Sequence, residues 1–160
     1  MENDKTTFQP DRFEDAPAMR LVGLKETYTF DRIKEIPQLW NRFEPYLTKE
    51  GGTTYGVSLT NGTENGFDYL AAVEEGYGLA PSGELVAVEF PAQRYAIFPH
   101  TESLATLSKT IDRIMGEWIP NSGLEMTADP ILFERYGPGF DPEAMSGDLE
   151  LWVPMKRKNA

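Results

Sequence analysis

The order of the short predicted strands and helices is the feature that most constrains how this chain can fold. Two stretches with helical spacing, residues 31–47 and 103–118, each stand among short runs with the alternation of β-strands. Both halves give the order strand, helix, strand, hairpin loop, strand, although they share little residue identity. The order predicts an α+β fold of two β-α-β-β units with antiparallel sheets. Such units leave a central crevice between the halves, which is a favoured place for a small-molecule pocket.

The strands are predicted from alternating or short apolar runs bounded by turn residues. They span residues 19–28, 53–60, 67–74, 84–90, 94–99, 131–136 and 149–153. Pro37 predicts the start of the regular part of the first helix, because proline is tolerated in a first helical turn. Ser103 is the predicted N-cap of the second helix and Pro120 its predicted stop.

The chain is long enough for one domain. With 160 residues, 40% of them hydrophobic, it can bury a single core. We predict a polar N-terminal tail or edge-covering arm over residues 1–18 and one domain over 19–156, with pseudo-repeats at about 19–75 and 84–156. No apolar run approaches the ~20 residues of a membrane span. The absence of cysteine and of a secretory leader favours a cytoplasmic location.

The charge of the chain argues against nucleic-acid binding. It carries 26 acidic and 15 basic residues, a net charge of -11, which repels phosphate backbones. The same field favours cationic ligands or a basic protein surface. Acidic composition also serves solubility alone, so the charge does not choose among these readings.

Sharper catalytic motifs are missing, which narrows the enzymatic possibilities. His100 is the only histidine and there is no cysteine, so neither a Ser-His-Asp nor a Cys-His unit is evident. No spacing of potential ligands argues for a metal. The turn 76–78 lacks the lysine and spacing of a phosphate loop. We therefore predict neither a metal nor a cofactor.

Glu134 is the most informative residue, because a carboxylate interrupts an otherwise apolar strand. Period-two alternation puts Leu132, Glu134 and Tyr136 on one strand face. A buried, unpaired carboxylate costs several kcal/mol unless it gains a partner or a proton. A cationic or hydrogen-bond-donating ligand would be such a partner. The alternative is a solvated sheet face, or an ion pair with Arg94 or Arg135.

Aromatic residues provide a second signal, because aromatic faces bind flat apolar molecules and organic cations. The candidates near the crevice are Trp40, Tyr69, Tyr95, Trp118, Tyr136 and Trp152. Each is also a normal core residue. Trp152 faces opposite Leu151 and Val153, so we predict it as a pocket wall with those two residues under a helix. Trp118 ends the apolar stripe of the second helix and is predicted to be structural.

The sequence resembles the GyrI-like small-molecule-binding domain, also found as the effector-binding half of AraC-type and MerR-type regulators. The resemblance covers nearly all of residues 19–156. It rests on four segments in order, at residues 91–99, 117–123, 133–136 and 149–155. It implies two β-α-β-β units around a hydrophobic pocket, in which a glutamate at the position of Glu134 contacts drugs or other organic cations. Together with the strand face and the aromatic candidates above, this gives the predicted ligand-binding residues Glu134, Trp40, Tyr69, Tyr95, Leu132, Tyr136 and Trp152.

Three functions are compatible with this reading. The leading one is a stand-alone, non-catalytic protein of bacterial type that binds or senses a hydrophobic, aromatic or cationic compound, in the manner of multidrug binding. With about 18 residues before the domain, no helix-turn-helix fits, so we expect no direct DNA binding. The second, which the resemblance to stand-alone members implies, is a hydrolase of reactive compounds such as cyclopropanoids, with Glu134 and Tyr69 or Tyr136 as catalytic groups. The third is binding to a protein partner. The gyrase-inhibiting members of the family imply that this partner is a topoisomerase, so the chain would be a topoisomerase-interacting protein.

Overall fold

The computed structural model describes residues 8–49, 52–127, 131–141 and 143–157. Nine strands form in this part of the chain: β1 Arg12–Ala16, β2 Met19–Thr29, β3 Thr54–Leu59, β4 Gly66–Glu74, β5 Val86–Phe90, β6 Gln93–Pro99, β7 Leu124–Met126, β8 Leu132–Tyr136 and β9 Leu149–Arg157. The α-helices are α1 Ile36–Phe43, α2 Leu107–Arg113 and α3 Ile119–Ser122. All seven predicted strands are present, which confirms the alternation argument.

One sheet joins both halves of the molecule. Its strand order is β1-β6-β9-β8-β3-β4-β2-β5, with β7 paired to β9. Every strand pair is antiparallel. The two halves meet where β3 pairs with β8, here called the β3–β8 seam. Outwards from this seam the order is β3-β4-β2 in one half and β8-β9-β6 in the other, so corresponding strands follow each other in the same order on both sides. The α+β prediction with antiparallel pairing is confirmed.

The helices pack on one face of this sheet, and no described helix packs on the other face, which is called the helix-free face below. Residues of both halves share the helix-free face, including Leu21 and Val57 from the first and Tyr95 and Trp152 from the second. On the helical face the core divides into two clusters, one for each half. The helical face therefore has a boundary between halves.

The first helical segment, residues 30–46, begins and ends in 3₁₀ turns around α1. Pro37 lies in the first turn of α1, as predicted. Leu39 and Phe43 are fully buried four residues apart, and Trp40 is half-buried beside them. One face of α1 thus packs on the first half of the sheet, because residues at this spacing share a helix face.

The second helical segment, residues 104–122, differs from its prediction at one end. The Ser103 side chain accepts a hydrogen bond from the Ala105 N–H, which confirms it as the cap. The predicted stop at Pro120 is wrong. A π-helical turn, Ile114–Trp118, precedes α3, and Pro120 lies in the first turn of α3, where its missing N–H costs little. The segment ends at Gly123, whose φ of 78° suits glycine.

Two strands were not predicted. β1 lies within the predicted arm and pairs with β6 at the sheet edge. Residues 1–7 of that arm lie outside the described residues. Three of the five residues of β1 are charged, so its apolar alternation is hidden, and charge is common on edge strands. β7 has only three residues, too few to show a period. Among the described helices, none is long and apolar enough to span a membrane.

Candidate functional site

Glu134 lies in the middle of the sheet, on the strand that joins the two halves. It is on β8 and pairs across the seam with Gly56 of β3. Its side chain faces the helical side, as do its strand neighbours Leu132 and Tyr136. Glu134 is only 7% exposed, and His100 is the one other buried polar residue among the described residues. The carboxylate is therefore a core group and the surface alternative is excluded.

Two tyrosine hydroxyls bind the same oxygen of this carboxylate. Tyr69 on β4 donates to Glu134 Oε1 at 2.9 Å, and Tyr136 donates to the same atom at 2.7 Å. The Trp40 indole N–H in turn donates to the Tyr69 hydroxyl at 3.2 Å. Within the described residues, Oε2 of Glu134 makes no hydrogen bond. The carboxylate thus has half of its acceptor capacity unused in a buried place.

Burial raises the pKa of Glu134, and the hydrogen bonds from Tyr136 and Tyr69 oppose the rise. Burial, followed by the charge of Glu134, raises the pKa values of Tyr69 and Tyr136 well above those of free tyrosine. No described lysine or arginine forms an ion pair with Glu134. The site can therefore gain stability from a proton or from a cation that replaces it.

Trp40 covers the cluster. Its ring meets Tyr136 edge-on at 5.6 Å between centroids, and it packs against the core clusters of both halves. Ile131 also contacts both clusters. The junction between the halves, where an open crevice was predicted, is filled by Trp40 of α1 and by Ile131, and Glu134 is buried beneath them.

Four of the predicted site residues meet here: Glu134, Trp40, Tyr69 and Tyr136. Leu132 lies on the same strand face and packs in the cluster under the second helical segment. Leu151 and Val153 also lie in that cluster, as predicted. Trp118 packs edge-on against Phe98 at 5.2 Å and near Phe13, in agreement with a structural role.

Tyr95 and Trp152 are placed differently from their prediction as pocket walls. Both lie on the helix-free face, and Trp152 stacks on Phe133 at 5.4 Å. Trp152 pairs with Phe133 across β8–β9, whereas Leu151 pairs with Glu134. Since paired residues share a face, the sheet backbone separates Trp152 from Glu134. Tyr95 packs on the same two rings and is separated in the same way.

The proposed ion-pair partners of Glu134 are engaged elsewhere. Arg94 contacts Asp15 at 3.2 Å, and Arg135 lies 3.9 Å from Glu150. Arg135 follows Glu134 on the strand, so it points to the opposite face. This leaves the two tyrosines as the described polar partners of Glu134.

Sequence reasoning did not single out Gly56, which faces Glu134. A Cβ at this position would overlap the Tyr69 hydroxyl and lie 2.7 Å from Glu134 Oε1. A glycine inside a strand often marks a close approach of another group, and that signal was available in the sequence.

His100 is buried away from this site and has a structural environment. Its Nε2 lies 2.8 Å from the Ser103 carbonyl oxygen and its Nδ1 lies 2.9 Å from the Thr110 hydroxyl. Because a carbonyl only accepts, Nε2 is the donor in the bond to Ser103. These bonds fix the end of β6 to the second helical segment. Across the described residues, no three His, Cys, Asp or Glu side chains gather as a metal site.

Comparison with known proteins adds an independent line of evidence. Residues 10–156 match the family described as the GyrI-like small molecule binding domain. The chain is 30% identical over 153 residues to the transcriptional regulator BrlR of Pseudomonas aeruginosa, covering 90% of this chain and 54% of the regulator. It thus spans about half the length of that curated relative.

Solved structures share the fold at low identity. The protein SAV2435 bound to tetraphenylphosphonium superposes with a TM-score of 0.68 at 17% identity, covering 91% of this chain and 93% of the other. An integron cassette protein from the mobile metagenome of Vibrio cholerae also gives 0.68, at 16% identity, with 93% and 97% covered. At these identities the likeness concerns the fold.

Proposed function

The chain belongs to the GyrI-like small-molecule-binding family, and from that premise we propose that it binds a hydrophobic, aromatic organic cation with Glu134 as charge complement. Tyr69, Tyr136 and Trp40 would form the contacts around it, and Leu132 would contribute to an apolar wall. Binding would serve to sense or sequester the compound. The tetraphenylphosphonium bound to SAV2435 supports this ligand class.

The observation that carries the proposal is a buried carboxylate without a cation. Glu134 has one oxygen bound by two tyrosines and one without a described partner. A cation in contact with Oε2 would gain a short-range charge interaction in a medium of low dielectric constant. Around it, the faces of Trp40 and Tyr136 would contact an aromatic cation through their π systems.

Binding requires that the cover moves, because Glu134 is almost inaccessible. Trp40 is the side chain to displace, since it is half-buried and donates a single hydrogen bond. A hydrogen bond of this kind contributes about 0.5–1.5 kcal/mol, and each of the two edge-on ring contacts of Trp40, with Phe43 and Tyr136, a similar amount. Together these contributions are smaller than the ~8 kcal/mol of a micromolar complex. We therefore propose that α1 shifts, or that Trp40 changes rotamer, when ligand enters.

Titration with tetraphenylphosphonium tests the proposal. We expect micromolar binding by the intact chain, measured by calorimetry, and at least tenfold weaker binding by Glu134→Gln, because the amide keeps the shape but loses the charge. Glu64→Gln is the control, since it removes the same charge from an exposed loop position. Equal affinity of the Glu134 and Glu64 variants would refute the role of the carboxylate.

The same contacts would also serve a hydrolase. A carboxylate with a raised pKa that is bonded to two tyrosines has the groups needed for proton transfer. In that case Glu134, Tyr69 and Tyr136 would be the catalytic residues. Product formed from a cyclopropanoid substrate, and abolished by Glu134→Gln, would favour this second function over simple binding.

Other aspects of the function stay predictions. BrlR is a transcriptional regulator, but this chain spans only about half of it, so its activity is not carried over. A topoisomerase partner, the lack of direct DNA contact and a cytoplasmic location rest on resemblance, charge and composition. A pull-down with topoisomerase would test the first of these directly.

A further inference from the structure

Gly56 stands opposite Glu134 at the centre of the sheet, and we infer that it is a positioning residue for the proposed site. Its lack of a side chain allows the Tyr69 hydroxyl to reach the carboxylate. The consequence for ligand binding rests on the proposed function, whereas the packing consequence does not.

The geometry around Gly56 is specific to the site. An added Cβ would overlap the Tyr69 hydroxyl oxygen and lie 2.8 Å from Tyr69 Cζ and 2.7 Å from Glu134 Oε1. The three nearest obstacles are therefore atoms of the site side chains, not of the backbone. Gly56 has no positive φ, so alanine is acceptable there for the backbone and only the side-chain overlap opposes it.

A second glycine provides the contrast. A Cβ at Gly23 would overlap the carbonyl oxygen of Ala71 on the neighbouring strand β4. That crowding concerns the backbone and does not involve the site. Alanine at position 23 should therefore disturb the sheet without any dependence on Tyr69.

The symmetry of the sheet explains why this position matters. The strand order reads alike on both sides of the β3–β8 seam, and Gly56 and Glu134 are paired across it. Each half thus contributes one central position to the helical face. Glu134 stands at one of these positions. Gly56 stands at the other, and the Tyr69 hydroxyl occupies the space that a side chain would take there. The arrangement gives one acidic site per chain, and hence one cation per chain.

A double-mutant cycle tests the packing consequence. We expect Gly56→Ala to lower the denaturation midpoint clearly in the natural background and much less together with Tyr69→Leu, which lacks both overlapping atoms of the tyrosine. Gly23→Ala should lower the midpoint equally in both backgrounds. Additive effects of Gly56→Ala and Tyr69→Leu would overturn the inference. If Gly56→Ala alone does not fold, folding of the double variant supports it, and failure of both overturns it.

Ligand binding gives the second readout. In folded Gly56→Ala, we expect a tenfold or greater loss of tetraphenylphosphonium affinity, with less than a twofold change for neutral triphenylphosphine oxide, because Tyr69 no longer orients Glu134. Unchanged affinity for the cation would overturn the positioning role. If the natural chain binds no tetraphenylphosphonium, the proposed function fails, while the stability cycle still decides the packing of Gly56.

Discussion

The two helical segments cover the same face of one sheet, yet they cover different chemistry. The first places Trp40 over a carboxylate and two tyrosine hydroxyls. The second places Ile114 and Leu107 over an apolar cluster, with Trp118 packed against Phe98. A helix over apolar groups has no competing partner, whereas a helix over a half-satisfied carboxylate can be replaced by a ligand that satisfies it. Under the proposed function, the first helical segment is therefore the cover and the second is structural.

The largest expected effect should separate stability from binding. Ile114→Ala removes a fully buried side chain from the second half, and we expect a loss of about 2–5 kcal/mol in the free energy of unfolding. Denaturant titration measures it. At temperatures where the variant is folded, its tetraphenylphosphonium affinity should match that of the natural chain. A loss of affinity as large as that of Glu134→Gln would show that the second segment also belongs to the site.

The effect of intermediate size is on the free energy of unfolding, and it comes from burying the charged form of Glu134. Burial raises the folded-state pKa of Glu134 above its unfolded value. At pH values below the ordinary pKa range of a carboxyl group, Glu134 is protonated in both the folded and the unfolded state, so its burial as an anion costs nothing. As pH rises through the folded-state pKa, the unfolded chain gains by ionising first, so the folded state loses stability.

Glu134→Gln does not titrate, so it should become the more stable protein as pH increases. At about pH 8 we expect a gain of about 1–3 kcal/mol over the natural chain, the usual cost of a buried polar group without its full set of partners. Unfolding curves at several pH values measure the gap. A gap that narrows with rising pH would contradict the assigned burial of a charged form.

The smallest effect compares the two tryptophans. Trp40→Phe loses the hydrogen bond to Tyr69 and should lower the unfolding free energy by about 0.5–1.5 kcal/mol. The Trp118 indole N–H donates to no described group, so Trp118→Phe should cost less through this route. Only Trp40→Phe should also speed ligand association, measured by stopped-flow fluorescence, because its cover is held less firmly. Equal association rates for both variants would remove the distinction between the segments.

Much of the fold followed from local patterns. Alternation located every strand from β2 through β9 except the three-residue β7. It also placed Leu132, Glu134 and Tyr136 on one face. The edge strand β1 was missed because its charged residues Arg12, Glu14 and Asp15 interrupt any apolar alternation, and an edge strand tolerates such residues. The stop at Pro120 was misplaced because a π-helical turn lets a proline begin a new helical turn.

The site was partly predictable for a similar reason. The period within one strand correctly separated Trp152 from Leu151 and Val153. It does not tell which of these shares a face with Glu134, because that depends on the register between β8 and β9. The hydrogen bonds of Tyr69 and Trp40 depend on strand order and on the helix position, which no local pattern contains.

The seam between β3 and β8 also affects how the molecule folds. The contact of Tyr69 with Glu134 joins residues 65 positions apart, and it forms only when the two halves pair. Contacts of such long sequence separation form slowly, since the intervening chain must first be ordered. During synthesis, the first half would emerge with Tyr69 and Gly56 in place but with no carboxylate between them. Binding at the proposed site would therefore report the joining of the two halves.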